Sequence, residues 1–369
     1  MIEKGYRSLL YASFGYTTHD HRFLKCFLDD GWKVAFLRFD GLKRQLCSIP
    51  LPEEIEQIDW LGTKTMLTTL KIRDFQLDAL EVTRRINPQV ILAGPVPTIG
   101  YILATVSEVP TVLMSWASDL LIDIFESDQL LAQSKDAIEL SAGIIVDSET
   151  VAEIASGLGV EEANLLVVPW GIDLKEFSPG TPRKPDGIFK IFSTRTLEKI
   201  YDIETLIRAA ALLRSEFPDF NFLLSIVGGG SEESNLRKLA SSLQIVDYIK
   251  WIPRVNENEL RSVILANDLY ISTAISDGSS VSMLQAMSCG QLTLVTNLKS
   301  NMEWIINDWN GWLFDAGDAS DLAKTIFKIA NSPIRSSIRI NAPTAVHERA
   351  DWDENQMKII NYVLSCIKA

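Results

Sequence analysis

The sequence predicts an α/β protein made of two doubly wound parallel sheets, and three observations carry that expectation. Short apolar, β-rich runs alternate with helical stretches along the chain. The alternation breaks once, at a segment dense in proline and glycine, and then resumes. The length of 369 residues is enough for two domains of about 100–200 residues each.

The elements follow in order. Strand candidates in the first half are residues 8–14 (SLLYASF), 33–39 (KVAFLRF), 90–94 (VILAG), 111–116 (TVLMSW), 143–148 (GIIVDS) and 165–170 (LLVVPW). The break falls at GIDLKEFSPGTPRKPDG, which holds three prolines and three glycines. Beyond it, strands are expected at 188–194, 221–228, 248–252, 269–273 and 292–296, with helices near 203–216, 231–243, 257–266 and 280–288. The expected domains are 1–175, a linker at 176–187, 188–345, and a terminal helical segment at 346–369.

Composition narrows the function classes. At 47% hydrophobic and 22% charged residues the chain is an ordinary globular one, which excludes disordered and fibrous proteins. A net charge of −13 offers no broad basic stripe for nucleic acid or an anionic membrane surface. No apolar run reaches the roughly 18–20 residues of a membrane-spanning helix, and residues 1–4 open with charge. A cytoplasmic protein without a transmembrane segment is expected, with peripheral membrane contact left open. Cys26, Cys47, Cys289 and Cys366 are too scattered for a disulfide frame or a zinc site. His19 and His21 have no third ligand at a sensible spacing, so no metal is expected.

Ligands of open parallel sheets sit outside the carboxyl ends of the strands, so chemistry is sought there. The most informative passage is SDGSSVSMLQAMSCG, from Ser276, which follows a strand and runs into a helix. Gly278, Ser279, Ser280, Val281 and Ser282 place backbone N–H groups at a helix start, where the positive end of the helix suits a phosphate or diphosphate. Asp277 stands just before this turn, and Gln285 lies two turns further on. Capping alone also explains an acid or a serine at such a place.

This passage resembles the hallmark of family 4 retaining glycosyltransferases (glycosyl transferases group 1). The hallmark is an acidic pair with seven residues between, followed by an A-M-A-x-G-like turn. Here it reads Asp277, Gln285 and then AMSCG, with glutamine at the second acidic position. The resemblance extends through PWGIDLKEFSPG, FSTRTLEKIYDIETLI, LLSIVGGGSEESNLRKLA and YIKWIPRVNENEL. It implies the GT-B fold: two Rossmann-like domains facing across a cleft, with a terminal helix crossing back onto the first.

By resemblance, the activity is transfer of a sugar from a UDP- or GDP-linked donor to a carbohydrate or lipid-linked acceptor, with retained configuration and with neither cofactor nor metal. Polysaccharide biosynthesis is the family's commonest setting. Arg195 and Lys199 would meet the donor diphosphate, with Gly228 at a close backbone approach. Arg254 and Val255 would pair with the base, and Gln285 with the ribose. Asp277 and Asp119 would orient the sugar, which makes Asp119, Arg195 and Asp277 the catalytic set. In the first half Gly15, His19, Asp20 and Arg22 are the acceptor-side candidates, and Trp116 stands where relatives often carry histidine. The alternative is a non-catalytic nucleotide-sugar-binding protein of the same fold, to which Gln285, the absent second lysine and Trp116 point.

Overall fold

The computed structural model describes residues 7–41, 49–68 and 71–368; Cys47 and the charged opening at residues 1–4 lie outside them. The chain forms two compact units. One comprises Met1–Val168 with Glu354–Ala369, and the other Pro169–Asp353. Residues 176–187 therefore belong to the second unit.

The first unit is built on seven strands: β1 (Ser8–Ser13), β2 (Lys33–Arg38), β3 (Glu56–Gln57), β4 (Val90–Ala93), β5 (Thr111–Met114), β6 (Gly143–Val146) and β7 (Leu165–Val167). All pair in parallel, in the order β3-β2-β1-β4-β5-β6-β7. The central strands are buried along nearly their whole length, as helices on both faces require. The terminal helix Trp352–Lys368 adds Ile359, Ile360, Val363 and Cys366 to the buried set.

The second unit holds β8 (Phe189–Ser193), β9 (Phe222–Val227), β10 (Ile249–Ile252), β11 (Leu269–Ser272), β12 (Leu292–Thr296) and β13 (Trp312–Phe314), ordered β10-β9-β8-β11-β12-β13 and again all parallel. Strand alternation divides its core into two layers. Ile191, Leu269 and Ile271 face one layer, while Phe192 and Tyr270 face the other with the helix Val281–Ser288. The helices fall at Ile203–Glu216, Glu233–Ser242, Glu257–Leu265 and Val281–Ser288, close to expectation. Two strands were not expected, β3 and β13; at two and three residues they are too short to show a period. Among the described residues no helix is long and apolar enough to cross a membrane.

Both sheets reverse strand order once, between β1 and β4 in the first unit and between β8 and β11 in the second. At such a switch point neighbouring loops diverge and leave room for a ligand. Gly94, just past β4, marks how tightly the backbones meet beside the first of these points. A Cβ there would lie 2.2 Å from the Met114 carbonyl oxygen. Because that neighbour is backbone, Gly94→Ala is expected to cost roughly 1–3 kcal/mol. Urea unfolding checks this by a lowered midpoint at unchanged slope.

Candidate active site

In the second unit the loops leaving β8 and β11 meet around one guanidinium. Arg195, two residues past β8, donates from Nη1 to the hydroxyls of Ser280 (2.6 Å) and Ser282 (3.0 Å). Its Nη2 pairs with Asp277 Oδ2 at 2.9 Å, with only 9% of the Arg195 side chain and 16% of the Asp277 side chain exposed. The Tyr201 ring lies 4.0 Å from the Arg195 Cζ, and the Tyr270 hydroxyl is 2.8 Å from Ser282 Oγ. Burial pushes the Asp277 carboxyl above the usual carboxylate range, against the pull of Arg195, the Ser280 hydroxyl and the Gly278 N–H.

The turn from Asp277 to Ser280 is anchored from behind. Ser300 Oγ donates to the Asp277 carbonyl oxygen (2.6 Å), and Trp304 Nε1 to Ser279 Oγ (3.3 Å). Ser280 is the N-cap residue of Val281–Ser288, yet its side chain makes no capping bond. Its hydroxyl is held by Arg195 instead. The first-turn amides of Val281, Ser282 and Met283 have no acceptor within the helix, which leaves the positive helix end available to an anion.

A second loop closes onto Arg195. Glu198 accepts from the N–H (2.9 Å) and hydroxyl (2.5 Å) of Ser231, and Leu197 N–H donates to the Gly229 carbonyl (3.1 Å). Gly228 (φ 133°) takes a conformation that side chains avoid, and a Cβ on Gly230 would lie 2.4 Å from the Leu197 carbonyl oxygen. Glycine is thus required where the end of β9 passes under the Arg195 loop.

The structure brings Arg195, Asp277, Gly278, Ser279, Ser280, Val281 and Ser282 together, with Gly228 beneath and half-buried Gln285 one turn along the helix from Val281. It does not bring Lys199 or Arg254 into this bonded cluster. Lys199 is exposed and lines a pocket of about 280 Å³ with Glu198, Asp202, Arg208 and Glu232. Arg254 is exposed and Val255 half-buried, in the loop after the edge strand β10.

Two first-unit expectations are corrected. Asp119 is 1% exposed, and its carboxylate accepts from Val96 N–H (2.9 Å), Ser115 Oγ (2.7 Å) and Trp116 N–H (2.9 Å). Both of its oxygens are engaged in tying the loops after β4 and β5 together, where the resemblance implied a contact with the donor sugar. Asp20 is likewise buried and closes a capping box with Thr17 at the start of the helix Thr18–Asp29, while accepting from the Tyr11 hydroxyl (2.9 Å). Gly15 is buried, and His19 and Arg22 are half-buried nearby. Among the described residues no group of three or more His, Cys, Asp or Glu side chains is placed to hold a metal.

The sequence reading missed Tyr201, Tyr270 and Ser231. The only signal for Tyr270 was alternation: lying between Leu269 and Ile271, its ring had to face the layer opposite theirs.

Residues 175–346 match the family described as Glycosyl transferases group 1. The D-inositol 3-phosphate glycosyltransferase of Pseudarthrobacter chlorophenolicus is 28% identical over 195 residues, 50% of this chain and 46% of that protein. An uncharacterized glycosyltransferase of Methanocaldococcus jannaschii is 25% identical over 232 residues, 62% of this chain and 56% of that protein. The chain thus matches about half the length of these curated relatives. Among solved structures, sucrose-phosphate synthase from Thermosynechococcus elongatus superposes with a TM-score of 0.81 at 16% identity, covering 96% of this chain and 98% of that one. Anabaena HepE in complex with UDP and glucose gives 0.76 at 17% identity, covering 98% and 100%. The architecture is GT-B, as expected. The match to glycosyl transferases group 1 covers most of the second unit, its Arg195 and Asp277 turn included.

Burial, opposed by the Val96 N–H and the Ser115 hydroxyl, pushes the Asp119 carboxyl up from 3.8 to about 6. A raised pKa means that the native state holds this proton more tightly than the unfolded chain, so the stability it contributes falls as pH rises from about 4 through about 6. The unfolding free energy of the wild type relative to Asp119→Asn is expected to drop by about 2 kcal/mol between pH 4 and pH 7. Urea melts across that range check it; parallel profiles for the two proteins would remove Asp119 as the source.

Proposed function

We propose that the protein transfers a glycosyl group from a UDP- or GDP-linked sugar to a hydroxyl acceptor, with retained anomeric configuration. The observation that carries this reading is the turn at residues 277–282. It lies at the switch point of the group 1 unit, with an uncapped helix start, a buried arginine and a carboxylate within bonding distance of one another.

The donor's diphosphate would lie against the amides from Gly278 to Ser282, with the helix dipole behind them. Arg195 braces that turn through Ser280 and Ser282 and adds a fixed positive charge beside it. As the anomeric carbon–oxygen bond to the diphosphate breaks, negative charge grows on the departing phosphate oxygen, where these preorganised groups stabilise it. The acceptor hydroxyl attacks from the same face and its proton passes to the departing diphosphate, so the protein need supply only position and charge. Asp277, polarised by Arg195, would accept from a donor-sugar hydroxyl. Gln285 would both donate to and accept from the ribose hydroxyls. The acceptor we propose is a glycan or lipid-linked sugar, in cytoplasmic assembly of a polysaccharide or glycolipid.

A ligand that binds only the native state raises its melting temperature, so UDP-, GDP- and ADP-sugars with the bare nucleotides form the first screen. A rise with one UDP- or GDP-sugar is expected, and no rise with any at millimolar concentration would overturn the reading. With that donor, Asp277→Asn is expected to lower transfer roughly a hundredfold while its own melting temperature moves by only a few degrees. Folding and turnover lost in step would make Asp277 purely structural.

A further inference from the structure

A guanidinium has N–H donors and no acceptor, so every hydroxyl bonded to Arg195 must turn a lone pair toward it and keep its own hydrogen for another partner. Two hydroxyls stand in that position, Ser280 Oγ at 2.6 Å and Ser282 Oγ at 3.0 Å from Nη1. The Ser280 hydroxyl gives its hydrogen to the Asp277 carboxylate, where it opposes the upward push of burial. Ser280 is also only 2% exposed, which keeps its side chain inside the turn.

Ser282 differs on both counts. It is half-buried and is the second residue of the helix Val281–Ser288, level with the first-turn amides. On its inner side stands Tyr270, wholly buried in β11, with its ring against the edge of Phe192 at 5.4 Å and its hydroxyl 2.8 Å from Ser282 Oγ. A phenol taken out of water gives its hydrogen to an acceptor, and Ser282 Oγ is an acceptor at bonding distance. Ser282 Oγ then receives from both Tyr270 and Arg195, which fills its lone pairs and leaves its own hydrogen to give. The contact open to that hydrogen within the turn is Ser280 Oγ at 3.3 Å, long for a bond between hydroxyls. Tyrosine and arginine together make Ser282 a donor, and the charge on Arg195 strengthens it. A charged oxygen beside the helix start offers this hydrogen a shorter and stronger bond than Ser280 does.

We infer that the Ser282 hydroxyl donates directly to a phosphate oxygen of a nucleoside diphosphate, and that Tyr270 is the positioning residue that commits Ser282 to donating. This rests on the glycosyl-transfer reading. It adds a side-chain contact to the backbone amides and has Arg195 act on the phosphate through a serine.

Isothermal titration of the full-length protein with UDP and with GDP tests this. For whichever nucleotide binds the wild type, Ser282→Ala is expected to weaken affinity roughly tenfold and Tyr270→Phe roughly threefold. Ser282→Thr, which keeps the hydroxyl, should recover most of the loss. Tyr270→Phe keeps the ring on Phe192, and added to Ser282→Ala it should cost nothing more. The ³¹P resonances of the bound nucleotide should move the same way in both single variants, which a purely structural tyrosine would not cause. Equal losses in the alanine and threonine variants would overturn the phosphate contact, and additive losses in the double variant would overturn the role of Tyr270. Should Tyr270→Phe fail to fold, the tyrosine is structural and its positioning role falls, while Ser282→Ala against Ser282→Thr still decides the contact. A wild type that binds nucleotide, with unaltered affinity in Ser282→Ala, sinks this inference alone. A wild type that binds neither nucleotide sinks the glycosyl-transfer reading with it.

Discussion

The second unit is organised around a guanidinium taken out of water. A buried charge is tolerated only when it is paired and its donors are satisfied. Arg195 finds partners for its two terminal nitrogens beyond β11, in Asp277, Ser280 and Ser282, while its buried Nε has no hydrogen-bond partner among the described residues. The requirement fixes how the loop after β8 stands against the start of the helix Val281–Ser288. It also explains why Ser280 does not cap its own helix: the hydroxyl that would have accepted from the first turn is turned to Arg195. Satisfying the arginine and leaving the helix start uncapped are one arrangement seen from two ends.

The two buried carboxylates show the same physics with different partners. Asp277 has a full positive charge beside it, whereas Asp119 has two amides and a hydroxyl. Neutral donors return only part of the hydration lost on burial, and Asp119 is pushed up to about 6; burial holds Asp277 above the usual carboxylate range as well, against the pull of Arg195. A group held as Asp119 is held suits a scaffold, because three donors from two loops hold both of its oxygens. Asp277 retains partial exposure and a partner whose charge persists at any working pH, which suits a ligand-facing role.

Much of the fold was legible because buried parallel strands must be apolar throughout, and runs such as VILA and TVLM admit few other readings. Strands β3 and β13 were not, since pairing of two or three residues depends on a neighbour being present. In the site, the residues of the turn at 277–282 were legible from helix-start chemistry. Their partners were not: nothing local to Arg195 says that Ser280, 85 positions away, will accept its hydrogen bond. Asp119 and Asp20 were recognisable as acids at helix starts, and capping was one reading of each. Asp20 does close a capping box, whereas Asp119 caps no helix and instead joins the loops after β4 and β5, a contact that only the packed unit reveals.

The two switch points differ in how their helix starts are closed. Each has a helix start facing the strand ends, and each start carries the same positive dipole. In the first unit Asp20 supplies the negative charge from within the chain and closes the helix start in a capping box with Thr17. In the second unit Asp277 is drawn to Arg195 and Ser280 declines to cap, so the first-turn amides keep their field for something else. Glutamine at 285 works in the same direction. An acid there would set a second negative charge one turn along the helix, partly cancelling that field, whereas the amide leaves Asp277, already matched by Arg195, as the carboxylate at the turn. The two helix starts therefore differ in what they leave open: the chain closes the first with its own Asp20, whereas Ser280 leaves the second uncapped.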